Sequence, residues 1–150
     1  MRNRFPVNRV VGALVAALSI AGAGCGGSTE AGEFNNCTAA MFVDRTAASA
    51  SRVINYGSAG GSPLFGYWPP CITIAAGQSV TFTGGSATSF SIHPLAPGVL
   101  NTPTAGSANN PIPRTSTGND LPVTFPTAGT YPYICEAHAA AGMVGVVKVQ

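Results

Sequence analysis

Residues 129–150 read Gly129-Thr130-Tyr131-Pro132-Tyr133-Ile134-Cys135-Glu136-Ala137-His138-Ala139-Ala140-Ala141-Gly142-Met143-Val144-Gly145-Val146-Val147-Lys148-Val149-Gln150. Two β-prone runs flank a short loop of small residues, the pattern of a strand, a tight loop and a second strand. In the first run Tyr131, Tyr133 and Cys135 share one strand face. In the second, Met143, Gly145, Val147 and Val149 share a face, opposite Lys148 and Gln150. Met143 is therefore expected on the inner side. Pro132 cannot donate to a ladder, so its N side is expected at an unpaired position.

The loop places a thiol, an imidazole and a thioether at the spacing C-x2-H-x4-M, as Cys135, His138 and Met143. A thiolate and an imidazole are strong copper ligands, and a thioether is a weak axial one. Such a site wants a second imidazole. The chain has only two histidines, and the other is His93, in Phe90-Ser91-Ile92-His93-Pro94-Leu95. Taken singly, a Cys or a Met is ordinary core filling. Three scarce metal-ligating side chains within nine residues, between two strands, point to a metal.

The segment resembles the copper-binding loop of the plastocyanin-like blue copper proteins, the cupredoxins. The likeness is strong over 129–150, moderate around 77–93 and weak elsewhere. It implies His93, Cys135, His138 and Met143 as ligands of one copper ion in a type 1 site, with His138 the exposed one. It also implies an all-β, cupredoxin-like Greek-key β-sandwich of about 7–8 strands, and one-electron transfer as the function. An unidentified redox partner protein would dock near His138, whose neighbours Ala139-Ala140-Ala141-Gly142 form a small apolar collar. Three residues depart from the family pattern. Pro94 follows the first His where Asn is usual. Glu136 and Ala137 stand where Ser/Thr and Pro are usual, and an unscreened acid beside the thiolate would favour oxidised copper. Ile134 precedes Cys135 where plant plastocyanins carry an exposed Tyr, so a photosynthetic role is not implied.

Upstream, residues 34–150 are of single-domain size and lack helical periodicity. Short β-prone runs alternate with Gly/Pro/Ser/Asn clusters. Strands are expected at 40–44, 51–55, Cys71–Ile74, Ser79–Thr83, 89–93, 121–125, Gly129–Cys135 and 142–149. Residues 57–70 and 94–118 read as loops. The second is long for a compact domain, so it either hides short strands or forms a mobile flap near His93.

Residues 1–24 carry Arg2, Arg4 and Arg9, then an apolar run too short to span a bilayer. This is a signal-peptide pattern. The run ends Ala21-Gly22-Ala23-Gly24-Cys25, which resembles a bacterial lipoprotein cleavage box, although Gly22 stands where an aliphatic residue is usual. Lipidation at Cys25 is expected, with plain secretion as the alternative. Residues 25–33 read as a flexible tether. The expected location is the periplasm or cell surface, with membrane contact only through the lipid anchor. From Cys25 onward, Arg45, Arg52, Arg114 and Lys148 stand against Glu30, Glu33, Asp44, Asp120 and Glu136, a balance of −1. No basic stripe is present, so no nucleic-acid partner is expected.

With Cys135 assigned to metal and Cys25 to lipid, Cys37 and Cys71 are left, and an exported chain lets them pair. The alternative is two free buried thiols. A full ligand set leaves no open position for a substrate, so the expectation is an electron carrier at the bacterial envelope and not an enzyme. The alternative is a copper-binding protein for delivery, storage or protection. The absence of a Met-rich or His-rich tract weighs against storage. A Cys135–His138 nucleophile pair lacks an orienting third group.

Overall fold

The computed structural model describes residues 34–100 and 109–150. Nine strands form there: β1 (Val43–Asp44), β2 (Val53–Tyr56), β3 (Tyr67–Trp68), β4 (Cys71–Ile74), β5 (Ser79–Thr83), β6 (Leu95–Pro97), β7 (Asp120–Thr124), β8 (Gly129–Cys135) and β9 (Val144–Val149). They make two sheets, in the orders β1-β4-β9-β8-β6 and β3-β2-β5-β7. A two-sheet sandwich is the expected fold, with nine strands in place of seven or eight. The signal peptide, the tether and Cys25 lie outside the described residues.

Alternation along the strands builds the core between the sheets. Ile54 and Tyr56 of β2, Val80 and Phe82 of β5, and Tyr131, Tyr133 and Cys135 of β8 all enter one buried cluster. The last strand adds Val147 and Val149, and Met143 joins from the preceding loop. Burial of side chains this large is worth roughly 1.5–3 kcal/mol each against exposure.

The outer face of β8 and β9 is also covered, which explains why the final run is apolar on both faces. Val146 packs with Cys37 and Cys71, flanked by Phe34 and Phe42. Cys37 and Cys71 are joined by a disulfide, S–S 2.04 Å. Val144 and Ile134 pack with Ala96. Buried Asn35 ties this outer layer down. Its amide nitrogen lies 2.8–3.1 Å from the carbonyls of Gly98, Tyr133 and Gly145, and its oxygen accepts from the Leu100 N–H.

Three local expectations change, and for 94–118 the reading with a short strand holds. Residues 39–41 form a 3₁₀ turn (Ala39–Met41) ahead of a two-residue β1. Segment 89–93 is a turn and not a strand: the Ser89 carbonyl accepts from the amides of Ile92 and His93, each at 3.1 Å. Hydroxyl side chains favour such turns, and those of Ser89 and Ser91 bond each other at 2.6 Å. Segment 94–118 contains β6, and Thr115 bridges back to Leu95. Residues 57–70 contain β3, which pairs with β2. Pro132 lies in an interior strand, but its carbonyl accepts from Gly98 on the β6 side. The β6 pairing stops at Pro97 opposite Tyr133, so no ladder bond is lost to the missing N–H.

Candidate metal centre

The register of β6 on β8 assembles the site. Leu95 lies opposite Cys135, and the strands run antiparallel. His93, two residues before Leu95, is thereby carried past the end of β8 to the loop that follows it. A backbone bond locks the approach, the Glu136 N–H donating to the Pro94 carbonyl at 2.8 Å. Here the backbone links the two ligand segments at the position where the family pattern has an Asn side chain.

The loop after β8 is a pair of turns. The His138 N–H donates to Cys135 O at 3.2 Å, and the Ala141 N–H to His138 O at 3.0 Å. Residues Ala139–Ala141 form one 3₁₀ turn, closed by Gly142 at φ 91°. A non-glycine residue is strained at that angle, so Gly142 lets the chain reverse into β9. Met143 closes the loop: its carbonyl accepts from the Cys135 amide at 2.9 Å, and its N–H donates to His138 O at 3.2 Å.

The structure brings His93, Cys135 and His138 together, with one ligand atom from each lying within 4.8 Å of the others. Cys135 Sγ is 3.4 Å from His138 Nδ1, and the two imidazole centroids are 4.9 Å apart. Cys135 and His93 are buried, and His138 is half-buried. Met143 is fully buried in the same core cluster as Cys135.

Among the described residues, His93 Nδ1 is one of three buried side-chain polar atoms without a hydrogen-bond partner, with Ser62 Oγ and Tyr67 Oη. Only His93 Nδ1 belongs to a group that also supplies a thiol and a second imidazole. A buried imidazole nitrogen left unpaired costs free energy unless something binds it. Burial, and then the neighbouring His138, hold the His93 pKa below its ordinary value, which keeps the ring neutral as a ligand must be. Burial pushes the Cys135 thiol up, while hydrogen bonds from the Ala137 and His138 amides favour the thiolate. Two nitrogens, one sulfur and a nearby thioether suit copper.

Other neighbours were not legible as site residues. The acid beside the thiolate is paired: Arg114 donates to the Glu136 carboxylate. An exposed pair of this kind is worth about 0–1 kcal/mol, but it screens the negative charge next to Cys135. Gly57, at φ +59°, abuts His93, where a Cβ would come within 2.9 Å of the imidazole. Phe65 stacks on His138, with ring centroids 4.5 Å apart and planes 25° from parallel. Its one sequence signal is the apolar pair Leu64-Phe65 inside a Gly/Pro/Ser stretch.

The family model for copper-binding proteins of the plastocyanin/azurin family matches residues 54–150. The chloroplastic plastocyanin of Physcomitrium patens is 32% identical over 93 residues, which cover 60% of this chain and 54% of that protein. Plastocyanin A/B of Petroselinum crispum is 32% identical over 99 residues, covering 64% of this chain and 97% of that protein. The chain thus spans about half the length of the first relative and nearly all of the second. Among solved structures, pseudoazurin from Methylobacterium extorquens AM1 superposes with a TM-score of 0.48 at 20% identity, covering 66% of this chain and 74% of that one.

Proposed function

This chain belongs to the plastocyanin/azurin family of copper-binding proteins, and from that premise we propose that it is a blue copper electron carrier of the bacterial cell envelope. The observation that carries the reading is the convergence of His93, Cys135 and His138 at one end of the sandwich, with His93 Nδ1 buried and unpartnered. These three residues hold the ion, and Met143 supplies the weak fourth donor. Copper bound there supplies one-electron exchange between its two oxidation states.

The remaining work falls to the chain. The bond from Glu136 to Pro94 and the loop bonds through Met143 hold the ligands in place before and after transfer, which limits the rearrangement each transfer requires. Burial of Cys135 and His93 keeps water from the thiolate. With four donors from the chain, no position is left for a substrate, which supports a carrier and not an enzyme.

Electrons enter and leave at the His138 end. Leu64, Phe65 and Ile92 are 57%, 46% and 58% exposed there and are themselves, or directly precede, residues at the site. These side chains give a partner protein an apolar surface for brief docking. The envelope location is supported by the signal-like residues 1–24, by Cys25 and by a disulfide that favours an oxidising compartment.

The test is to add copper(II) to the purified, metal-free protein and record the visible spectrum. A strong thiolate-to-copper band is expected, absent in a folded Cys135→Ser variant. A colourless wild-type protein, or the same band in the variant, would overturn the ligand assignment.

A further inference from the structure

Phe65 breaks a local rule. The Gly66 N–H donates to Pro63 O at 3.1 Å, so Leu64 and Phe65 occupy the two corners of a tight turn. Corner positions ordinarily go to Gly, Asn, Asp or Pro. Two large apolar residues there, both exposed, contradict the local preference, and such conflicts concentrate at functional positions. The turn is firmly set: Tyr67 follows at once, buried and paired with Tyr56 in β3.

The ring at this corner lies over the two imidazoles. It is stacked on His138 at 4.5 Å and tilted against His93 at 6.4 Å. His138 is the least buried member of the ligand group. Its backbone is held by the loop bonds, and among the described residues its ring meets Cys135 Sγ and pairs with the rings of His93 and Phe65. Phe65 therefore supplies the outer wall of that imidazole.

We propose that Phe65 is a positioning residue for His138: its ring covers the imidazole face, keeps it in the metal-binding orientation and slows loss of copper from the site. This deepens the copper-site reading and rests on it. Aromatic stacking at this spacing changes an equilibrium by about two- to tenfold, and a copper-release rate should change on that scale.

The experiment compares wild type with Phe65→Leu, Phe65→Met, Phe65→Tyr and Leu64→Ala. In metal-free protein, NMR shifts of the His138 ring protons report the ring current of residue 65. In copper-loaded protein, transfer to a chelator gives the release rate. Phe65→Leu and Phe65→Met should lose the ring-current shift and release copper about two- to tenfold faster. Phe65→Tyr should retain both wild-type values, and so should Leu64→Ala. Unchanged release in both non-aromatic variants would overturn the proposal. So would equal acceleration by Leu64→Ala, which would assign the effect to the turn and not the ring. Failure of wild type to form the thiolate-to-copper band is a different result, and it would overturn the copper-site reading itself.

Discussion

Met143 is fully buried in the cluster that contains Cys135, and its backbone is bonded to both Cys135 and His138. As the proposed weak fourth donor, its thioether would add little to holding copper but would shift the balance between oxidation states. Met143→Gln places a harder oxygen there, favours copper(II) and should lower the reduction potential. Met143→Leu removes the donor and should raise it. Protein-film voltammetry of the two variants decides, and shifts in the same direction would refute the axial role. Gly57 is the second sensitive position. A Cβ there would crowd Thr88 and come within 2.9 Å of His93, at a φ of +59°. Gly57→Ala should cost about 1–3 kcal/mol in backbone strain alone and weaken the thiolate-to-copper band by displacing His93. Thermal unfolding and the visible spectrum together check this, and wild-type values in both would contradict it.

Among the elements, β6 is short but decisive. Its three residues set Leu95 against Cys135, and this register carries the distant His93 to the loop between β8 and β9. The segment before β1 does a different job. It crosses the outer face of β9 and is pinned by the Cys37–Cys71 bridge, which closes a separation of 34 residues. A loop of that size stabilises by about 3–4 kcal/mol in the chain-entropy model. The Cys37→Ala/Cys71→Ala double variant should lose about that much in denaturant unfolding. Its copper spectrum should be unchanged, because the bridge packs with Val146 in a cluster separate from the one holding Cys135. A spectral change would mean that the outer layer shapes the site.

At the scale of the whole molecule, the sandwich holds the site at one end, and the proposed lipid anchor at Cys25 would hold the protein at a membrane surface. The expectation is that wild type fractionates with membranes, while Cys25→Ser appears in the soluble fraction. Equal membrane association of a processed Cys25→Ser chain would refute the anchor. Charge gives no competing route to a surface, since the balance from Cys25 onward is only −1.

Sequence alone determined the strand runs of the sandwich and the loop group Cys135, His138 and Met143, because strand alternation and ligand spacing are local properties, whereas the β6–β8 register carries His93 to them. Ser79–Thr83 and Gly129–Cys135 form as read, and C-x2-H-x4-M lies within one loop. Turns built by a few residues were less legible. Segment 89–93 alternates like a strand, yet the Ser89 carbonyl turns it. Only tertiary structure decided the contacts between segments far apart in the chain. Phe65 reaches His138 across 73 positions, Arg114 reaches Glu136 across 22, and Asn35 reaches Gly145 across 110. No periodicity records such contacts. They follow from sheet order and register, through which non-local pairings bring distant residues to one place.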